Sequence, residues 1–412
     1  MENKFRITEC EIIPTEGTAL SENYSLLNGS PVINYYESLK SPAISANLSF
    51  LDVDGVVSNE SIMGGEMLRF TVDFGELGTL SIDENKHKLM IGGVNNVRTQ
   101  SSKQTATLDA ISVESFINET ARVAGRYKDT NIAETVKKLI GEGAGIRAIK
   151  TDKNVFAEPT SNKYNFVGNM RRPIDTIQWL CPKASSSSNH FGYLFYETYD
   201  GYNFRSIDTL LKQPSVKTFS KTEISDVDDS RILNEQFNYS NDIGMALRMG
   251  MYANNTGYFD IRTATFGYET FTVADLDLKR PPKLPGGLGE SPSRLMFRIL
   301  DVGALQDGDA VPNSNQKPQD LAKYQNKSYA RNNLIFSQSL NIVVPCDPTL
   351  RAGQVITVEL PLPTSDQKNK QMGDGTRDLS GDYLISELRH EIGGNRAHTQ
   401  LSLVRDTFTA TA

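Results

Sequence analysis

Apolar residues alternate with polar ones near both ends of the chain, and a period of two commits such stretches to strands with one buried face. Near the amino end Leu68, Phe70, Val72 and Phe74 are separated by Arg69, Thr71 and Asp73. Near the carboxyl end Ile356, Val358 and Leu360 alternate, as do Thr399, Leu401 and Leu403. Residues 47–116 therefore read as an antiparallel meander or small barrel, with further runs at Lys88–Ile91 and Thr107–Val113 and with Gly64, Gly65 and Gly75 as punctuation. Residues 338–408 read as strands again, interrupted by a polar loop from Pro363 to Asp382. Gly65–Phe70 matches Gly353–Val358 in pattern, and Leu89–Ile91 and Thr107–Val113 correspond in order to Leu384–Ser386 and Thr399–Val404. A duplicated β-domain would explain the match, although any two antiparallel β-domains share so loose a pattern.

The text between these ends is different. Asp129 and Thr130 can cap a helix whose Ile132, Val136, Leu139 and Ile140 share a face, with Gly141 as its stop. A second helix opens at Pro173, with Ile174, Ile177 and Leu180 on its inner stripe. Phe191–Arg205 is an aromatic hairpin turning at Asp200-Gly201. Residues 117–215 thus form a compact α+β module with two helices. Strand text resumes from Ser230 to about Thr265, Pro281–Arg294 is a loop, and the polar residues 307–333 read as a surface excursion or mobile insertion.

Composition excludes several classes. A chain of 412 residues is large enough for two to four domains. Its 38% hydrophobic and 23% charged residues, with a mean hydropathy of −0.39, suit packed cores and not disorder. Acidic residues outnumber basic ones by 50 to 43, so phosphate binding by counterion release is not its primary activity. Cys10, Cys181 and Cys346 lie far apart and offer neither a disulfide framework nor a metal knuckle, which fits assembly in a reducing cytosol. No apolar leader and no run of about 18 apolar residues occurs, so a signal peptide and a spanning helix are not expected.

The sharpest local motif is the strand Leu48–Leu51 running into Asp52-Val53-Asp54-Gly55. It resembles the first motif of haloacid-dehalogenase-like phosphatases, in which the first Asp attacks phosphorus and the second moves the proton, with Mg²⁺ beside them. Gly373-Asp374 and Asp378 supply a matching GDxxxD. Both motifs need the carboxyl ends of parallel strands, and here GDxxxD follows a polar run while Val57 leads through Gly64-Gly65 into an alternating strand. Asp52–Gly55 is therefore expected to be a hairpin turn, and with Gly55 at its fourth position it is no EF-hand loop. His87, His190, His390 and His398 lack metal-ligand spacing. Cys181 and His190 are separated by Ser185–Ser188, read as too flexible to hold a nucleophile and its base. Gly141–Gly145 lacks the strand and helix of a phosphate cradle. Tyr and Phe between Phe191 and Phe204 read as a half-buried sheet. No catalytic, cofactor-binding or metal-binding residue is assigned, and no enzyme activity is expected.

Several segments together resemble the baseplate central hub proteins of contractile-tailed bacteriophages, relatives of the spike-hub proteins of type VI secretion. They are the strand text Ala46–Phe74; Asn165–Leu180 with the hairpin Phe191–Phe204 and Arg205–Leu210; and Leu350–Val358 with the closing Ser380–Glu391. The resemblance spans nearly the whole chain except 266–335. It implies a mainly β fold with an α+β insertion: two tail-tube-like antiparallel β-barrel domains plus inserted domains. Residues 1–116 would be the first tube-like domain and 117–215 the α+β insertion. The second tube-like domain would begin at 216–260, break for an insertion or extended loop at 261–335, and finish at 336–412. It further implies a homotrimer whose six similar domains adapt a sixfold tail tube to a threefold central spike. Partners would be the tube protein, the spike protein and other baseplate proteins, with DNA passing through the lumen without specific binding and no membrane. The virion tail baseplate, assembled in the host cytoplasm, would be its place, and an acidic lumen would not hold phosphates in transit. The rival readings are the phosphatase, on Asp52 and Asp54, and a carbohydrate-binding β-protein. The latter needs exposed aromatic platforms, whereas the single Trp179 falls on a helix.

Overall fold

The computed structural model describes residues 5–59, 62, 64–83, 85, 87–100, 103–141, 148–221, 230–238, 243–261, 264–276, 278, 285–300, 318–361, 379–394 and 396–406. The amino-terminal part contains β1 (Arg6–Ile13), β2 (Tyr24–Ser25), β3 (Val32–Ser38), β4 (Ser45–Asp52), a short helix α1 (Val56–Asn59), β5 (Met67–Asp73), β6 (Thr79–Ile82), β7 (Leu89–Gln100) and β8 (Lys103–Ser112). Next come α2 (Val113–Thr120), β9 (Ala124–Tyr127), α3 (Ile132–Leu139), β10 (Asn154–Ala157), β11 (Phe166–Asn169), α4 (Pro173–Leu180), β12 (Tyr193–Thr198), β13 (Gly201–Ser206) and α5 (Ile207–Leu211). The remainder holds β14 (Ser215–Ser220), β15 (Asn234–Asn238), α6 (Ile243–Arg248), β16 (Ala253–Asp260), β17 (Thr265–Thr272), β18 (Arg294–Leu300), α7 (Pro318–Leu334), β19 (Gln338–Pro345), β20 (Val355–Glu359), β21 (Gly381–Gly393) and β22 (Arg396–Arg405). The fold is mainly β, with an α+β module between the two β-rich ends. Among the described residues, no helix is long and apolar enough to cross a membrane.

The alternating residues face inward as their period requires: Leu68, Phe70 and Val72 are buried on β5, Ile356 and Val358 on β20, and Thr399, Leu401 and Leu403 on β22. Both ends contribute to one hydrophobic core, in which Ile33, Phe70, Ile91 and Leu108 join Leu340, Ile356, Leu388 and Leu403.

The two ends repeat one topology. In the first, neighbouring strands run β5-β7-β8-β4-β3; in the second, β20-β21-β22-β19-β15. All of these pairs are antiparallel. The match extends to single bonds. Gly65 donates its N–H to Ile91 O at 2.8 Å and Ile91 donates to Glu66 O at 2.8 Å; Gly353 donates to Ile385 O at 2.8 Å and Ile385 to Gln354 O at 2.9 Å. Both glycines hold positive φ, +103° and +88°, which a side chain would resist. A bulge falls between Ile91 and Gly93 in one repeat and between Ile385 and Glu387 in the other. These bonds align Leu89 with Tyr383, one residue away from the alignment the sequence suggested. The repeats diverge at their first strands, since β1 lies antiparallel to β5 whereas β14 lies parallel to β20.

Two separate closed barrels do not form among the described residues. The repeats share a single 14-stranded sheet because β3 pairs with the far half of β21, from Ser38↔Glu387 to Ile33↔Ile392. Each repeat satisfies an edge on its neighbour instead of on itself, which removes an open edge as effectively as closure would.

The middle module differs from expectation in detail. Helix α3 is capped at Asn131, because Asp129 takes φ +55° in the preceding turn and the Thr130 hydroxyl is engaged with Thr135. Helices α2 and α5 join the two that were expected. The hairpin pairs Thr198 with Gly201, so its central residues are Tyr199 and Asp200 and Gly201 opens β13. Its rings are fully buried, not half-buried: Tyr193, Tyr196, Tyr202 and Phe204 are all below 3% exposed.

Residues 318–334, expected as a surface excursion, are the helix α7. It buries polar residues as well as Leu321, Ala322 and Leu334. Arg331 donates to Asp208 at 2.7 Å and to Asp406 at 2.6 Å, and Thr256 donates to Asn326 at 2.8 Å. A polar helix is stable inside when its groups are paired, and no apolar stripe announces it in sequence.

Two buried carboxylates fasten the modules. Glu37 on β3 accepts from the Tyr35 hydroxyl at 2.8 Å, from Tyr199 N–H at 2.8 Å and from Ala352 N–H at 2.9 Å, so one side chain ties the first repeat to the hairpin turn and to the second repeat. Burial pushes its carboxyl above the ordinary range, against the opposing pull of Arg351 and the two N–H groups. Glu197 on β12 accepts from Ile44 N–H at 3.0 Å, from Ser112 at 2.6 Å and from Lys153 at 2.6 Å. Lys153 also reaches Glu114 at 2.8 Å. Burial opposes its charge, and the two carboxylates overcome that and hold its ammonium above the usual value.

Replacing Glu37 by Ala strands two backbone donors and a hydroxyl in the interior. A loss of about 3 kcal/mol or more is expected in chemical denaturation, against about 0.5 kcal/mol or less for Glu387→Ala, whose side chain is 48% exposed. His390 gives a pH-dependent test. It stacks on Tyr35 at 5.8 Å, touches Cys346 and Thr399, and burial, then Arg351, lowers its pKa from 6.5 to about 3, with Asp347 opposing. The unfolded chain therefore takes up this proton first, and stability present above pH 6.5 falls progressively down to about pH 3. In His390→Phe the denaturation midpoint is expected to depend on pH less steeply across that window, by roughly one proton.

Candidate docking surfaces

Asp52 ends β4 in an antiparallel setting between β3 and β8. Its two oxygens accept from the N–H groups of Val56 at 2.8 Å and Val57 at 3.1 Å, and Gly55 takes φ +70°. The segment is a capped strand-to-helix turn and not a hairpin. Asp54 accepts from the Tyr24 hydroxyl at 2.7 Å. The second repeat solves the same problem after β19, where Asp347 accepts from the Thr349 N–H at 3.0 Å and hydroxyl at 2.6 Å. A carboxylate committed to backbone donors is a poor phosphorus nucleophile, and the described neighbours of β4 are both antiparallel to it. Asp374 and Asp378 lie outside the described residues, as do residues 142–147 of the glycine-rich stretch.

Cys181 and His190 do not act together. Burial pushes the Cys181 thiol up to about 12, while His190 contacts Thr209 at 3.2 Å and Lys212 at 3.0 Å. The serines between them are ordered, contrary to expectation: Ser185 N–H donates to Asn162 and the Ser186 hydroxyl accepts from His190 N–H. The cysteines are free and buried. Trp179 does sit on a helix, packed edge-on against Tyr164 and Phe166 with the Lys183 ammonium 3.6 Å from its ring centroid.

What the structure exposes instead is an apolar sheet face that sequence reading missed. Strands β17, β16 and β18 lie side by side in that order, with α7 against one face. The other face carries Phe266 and Tyr268 from β17, Phe259 from β16, and Leu295, Phe297 and Ile299 from β18. Apart from Phe259 these are 57–71% exposed. Gly257 lies beneath Phe297 and Tyr268; a Cβ there would stand 2.6 Å from the Phe297 ring. The sequence signal was present as alternation in both strands, Phe266-Gly267-Tyr268 and Leu295-Met296-Phe297-Arg298-Ile299, but alternation does not say which face is covered. Aliphatic side chains interleave the rings, so the face suits a protein surface better than a sugar, which needs polar groups beside each ring.

Two strand stretches also lie at edges of the large sheet among the described residues. Strand β15 ends the sheet with β19 as its ladder partner, and β7 beyond Gly92 has β8 as its ladder partner.

No family model and no curated protein matches the sequence. Solved structures do match the fold. A tail protein from Neisseria meningitidis superimposes with a TM-score of 0.55 at 10% identity, over 98% of this chain and 97% of its own. A tail protein of the MuSo2 prophage of Shewanella oneidensis gives 0.54 at 11% identity, over 97% and 99%. A component of the Escherichia coli type VI secretion system lies further off, with a TM-score of 0.45 at 10% identity over 99% and 78%. Over nearly all of its length this chain has the fold of the two tail proteins.

Proposed function

We propose that this chain is the structural baseplate hub of a contractile phage tail: a homotrimer that adapts the sixfold tail tube to the threefold central spike and forms part of the DNA passage. The observation that carries the reading is the duplicated sheet unit, with the same strand order and two corresponding backbone bonds in each copy, within a chain that has the fold of tail proteins along nearly all its length. Three chains with two such units each present six similar surfaces, which is what a threefold object needs to meet a sixfold one. A net charge of −7 accords with a passage that does not retain a polyanion. The boundaries at residues 116, 215, 260 and 335 belong to this proposal, as do the tube, spike and other baseplate proteins as partners and the virion tail as location. The phosphatase reading is not favoured, because the Asp52 oxygens are engaged in a turn. The carbohydrate reading is not favoured either, given the mixed aliphatic character of the exposed face.

Mass measurement in solution with low-resolution imaging tests the proposal. A ring-shaped trimer is expected; a monomer at every accessible concentration refutes it. The exposed face on β17 and β18 is expected to contact another tail component and to contribute little to the stability of the isolated chain. Phe297→Lys with Ile299→Lys should change the denaturation free energy by no more than about 1 kcal/mol in all, while clearly reducing the binding of a fluorescent hydrophobic dye. An unfolded double variant would show instead that the face is part of the core.

A further inference from the structure

In the middle module a hollow of about 320 Å³ lies between the two-stranded ribbon of β9 and β11 and the helix α4. It is bordered by residues 166–169 of β11, by Val123 and Arg171 at the end of the ribbon, and by Thr176 and Trp179 of α4. Its volume is at the small end of ligand sites, with room for one large side chain. Gly168 stands opposite Gly125 in the ladder, so no side chain of either strand fills this point; a Cβ on Gly168 would lie 2.7 Å from Val123 O. Phe166 and Trp179, whose rings meet edge-on at 5.5 Å, supply an apolar wall.

The hollow follows a strand edge. A cavity on the face of a strand touches every second residue, whereas this one touches four in succession. Strand β9 is the ladder partner of β11, and among the described residues no other strand pairs with it. Every second residue of β11 therefore turns its N–H and C=O away from β9.

The rim is basic. The Arg171 guanidinium lies 5.2 Å from the centroid of Trp179 and has no ion pair with a carboxylate among the described residues, while Arg172 beside it is held by Glu119 at 2.7 Å. Arg126 is exposed opposite Val167, itself 46% exposed. Between Arg122 and Lys183 twelve basic residues outnumber six acidic ones, in a chain whose acidic residues are in excess overall, so this part of the molecule attracts anionic groups that the rest repels.

We propose that the hollow is a docking site for an extended acidic segment of a partner protein. The segment adds to the β11 edge as a strand, places a bulky apolar side chain against Phe166 and Trp179, and sets a neighbouring carboxylate on Arg171. Each part of this occupant answers one feature: an edge strand takes up an extended backbone, an aromatic wall takes up an apolar side chain, and a guanidinium without a carboxylate takes up an acid. A nucleic acid would need a run of cations along the groove, and the hollow itself is bordered by one. The site goes beyond the hub reading and stands or falls separately from it.

Trp179 is the single tryptophan of the chain, so its emission reports on this site alone. The probe is the peptide acetyl-Asp-Phe-Asp-Phe-Asp-amide, titrated into the full-length protein with emission and heat recorded together. A saturable shift in emission is expected. The same peptide with Lys in place of Asp should bind at least about tenfold more weakly, and Arg171→Ala should weaken the acidic peptide by about tenfold, the effect of one charge-assisted hydrogen bond. Val167→Glu should weaken it by about threefold and Val167→Lys should strengthen it by about threefold; a gain in the second variant cannot come from misfolding. Absence of both shift and heat up to millimolar peptide overturns the proposal, as does equal binding of the lysine peptide. Heat of binding that neither Arg171→Ala nor the Val167 variants alter places the peptide elsewhere and overturns it too. A saturable, Arg171-dependent shift with a single-stranded thymidine oligonucleotide in place of the peptide overturns it in favour of a nucleic-acid site.

Discussion

The carboxylate of Glu37 holds the molecule's three parts in one arrangement. Its oxygens accept from a residue of its own strand, from the turn of the inserted hairpin and from the loop that opens the second repeat. Each of those donors is buried or half-buried, where an unmet N–H costs about 1–3 kcal/mol, so the three parts cannot slide independently without losing bonds that water is not positioned to replace. Arg351 adds a second link: its guanidinium lies 4.7 Å from the ring of Tyr199 and is one of the charges acting on Glu37. Glu197 performs the same task on the other side of the hairpin, tying β12 to the start of β4 and the end of β8 through Ile44 and Ser112. Apolar packing would bury the same surfaces but would not fix their register. Directional bonds at a few buried points do, and this is how a module inserted between two sheet units keeps a defined position against both.

The duplicated unit explains why a single sheet can run through two repeats. A sheet that does not close exposes a ladder of unpaired groups at each edge, and proteins must cover, shorten or pair those edges. Here the edge of one repeat is the partner of the next. The cross-strand contacts at the joint are specific: Tyr35 lies over His390, and Arg389 donates to Asn34 at 2.8 Å and 3.1 Å. Because the joint is built from ladder bonds between corresponding strands, the same chemistry is available wherever another repeat presents the same strand, whether in the same chain or in another.

Much of this was legible in the sequence, and the failures have physical causes. Alternation at Leu68–Phe74 and Ile356–Leu360 identified strands and their buried faces because a half-buried strand has no other pattern. The duplication was visible, but its register was off by one at β21, because so loose a pattern matched Leu89 to Leu384 by residue type, whereas the corresponding bonds of Ile91 and Ile385 match it to Tyr383. Helix α7 was invisible because its inward residues include Asn326, Ser328 and Arg331, which read as solvent-facing until their partners on β16, in the middle module and near the carboxyl end are known. The exposed apolar face was missed because residues 261–335 read as an insertion or extended loop, and alternation alone could not show that α7 covers only one side of a sheet there. Asp52-Val53-Asp54-Gly55 imitated a catalytic motif because a turn that caps a helix and a phosphoryl-transfer site both place short carboxylates after a strand.

That imitation is resolved by where the carboxylate oxygens point. A catalytic carboxylate must keep a lone pair directed at a cavity, and its pKa is set by what surrounds that cavity. The buried and half-buried acids discussed here direct their oxygens at donors within the chain: Asp52 at Val56 and Val57, Asp347 at Thr349 and Lys217, Asp208 at Arg331 and Phe191, Glu37 and Glu197 at the joints. Asp347 shows the consequence. Burial raises its carboxyl, but the bonds from Lys217 and Thr349 outweigh that and hold it below the usual range, so it stays charged and bonded. Groups arranged in this way resist displacement. Directional bonds of this kind hold the sheet units and the middle module in place, while the apolar face on β17 and β18 is left exposed among the described residues.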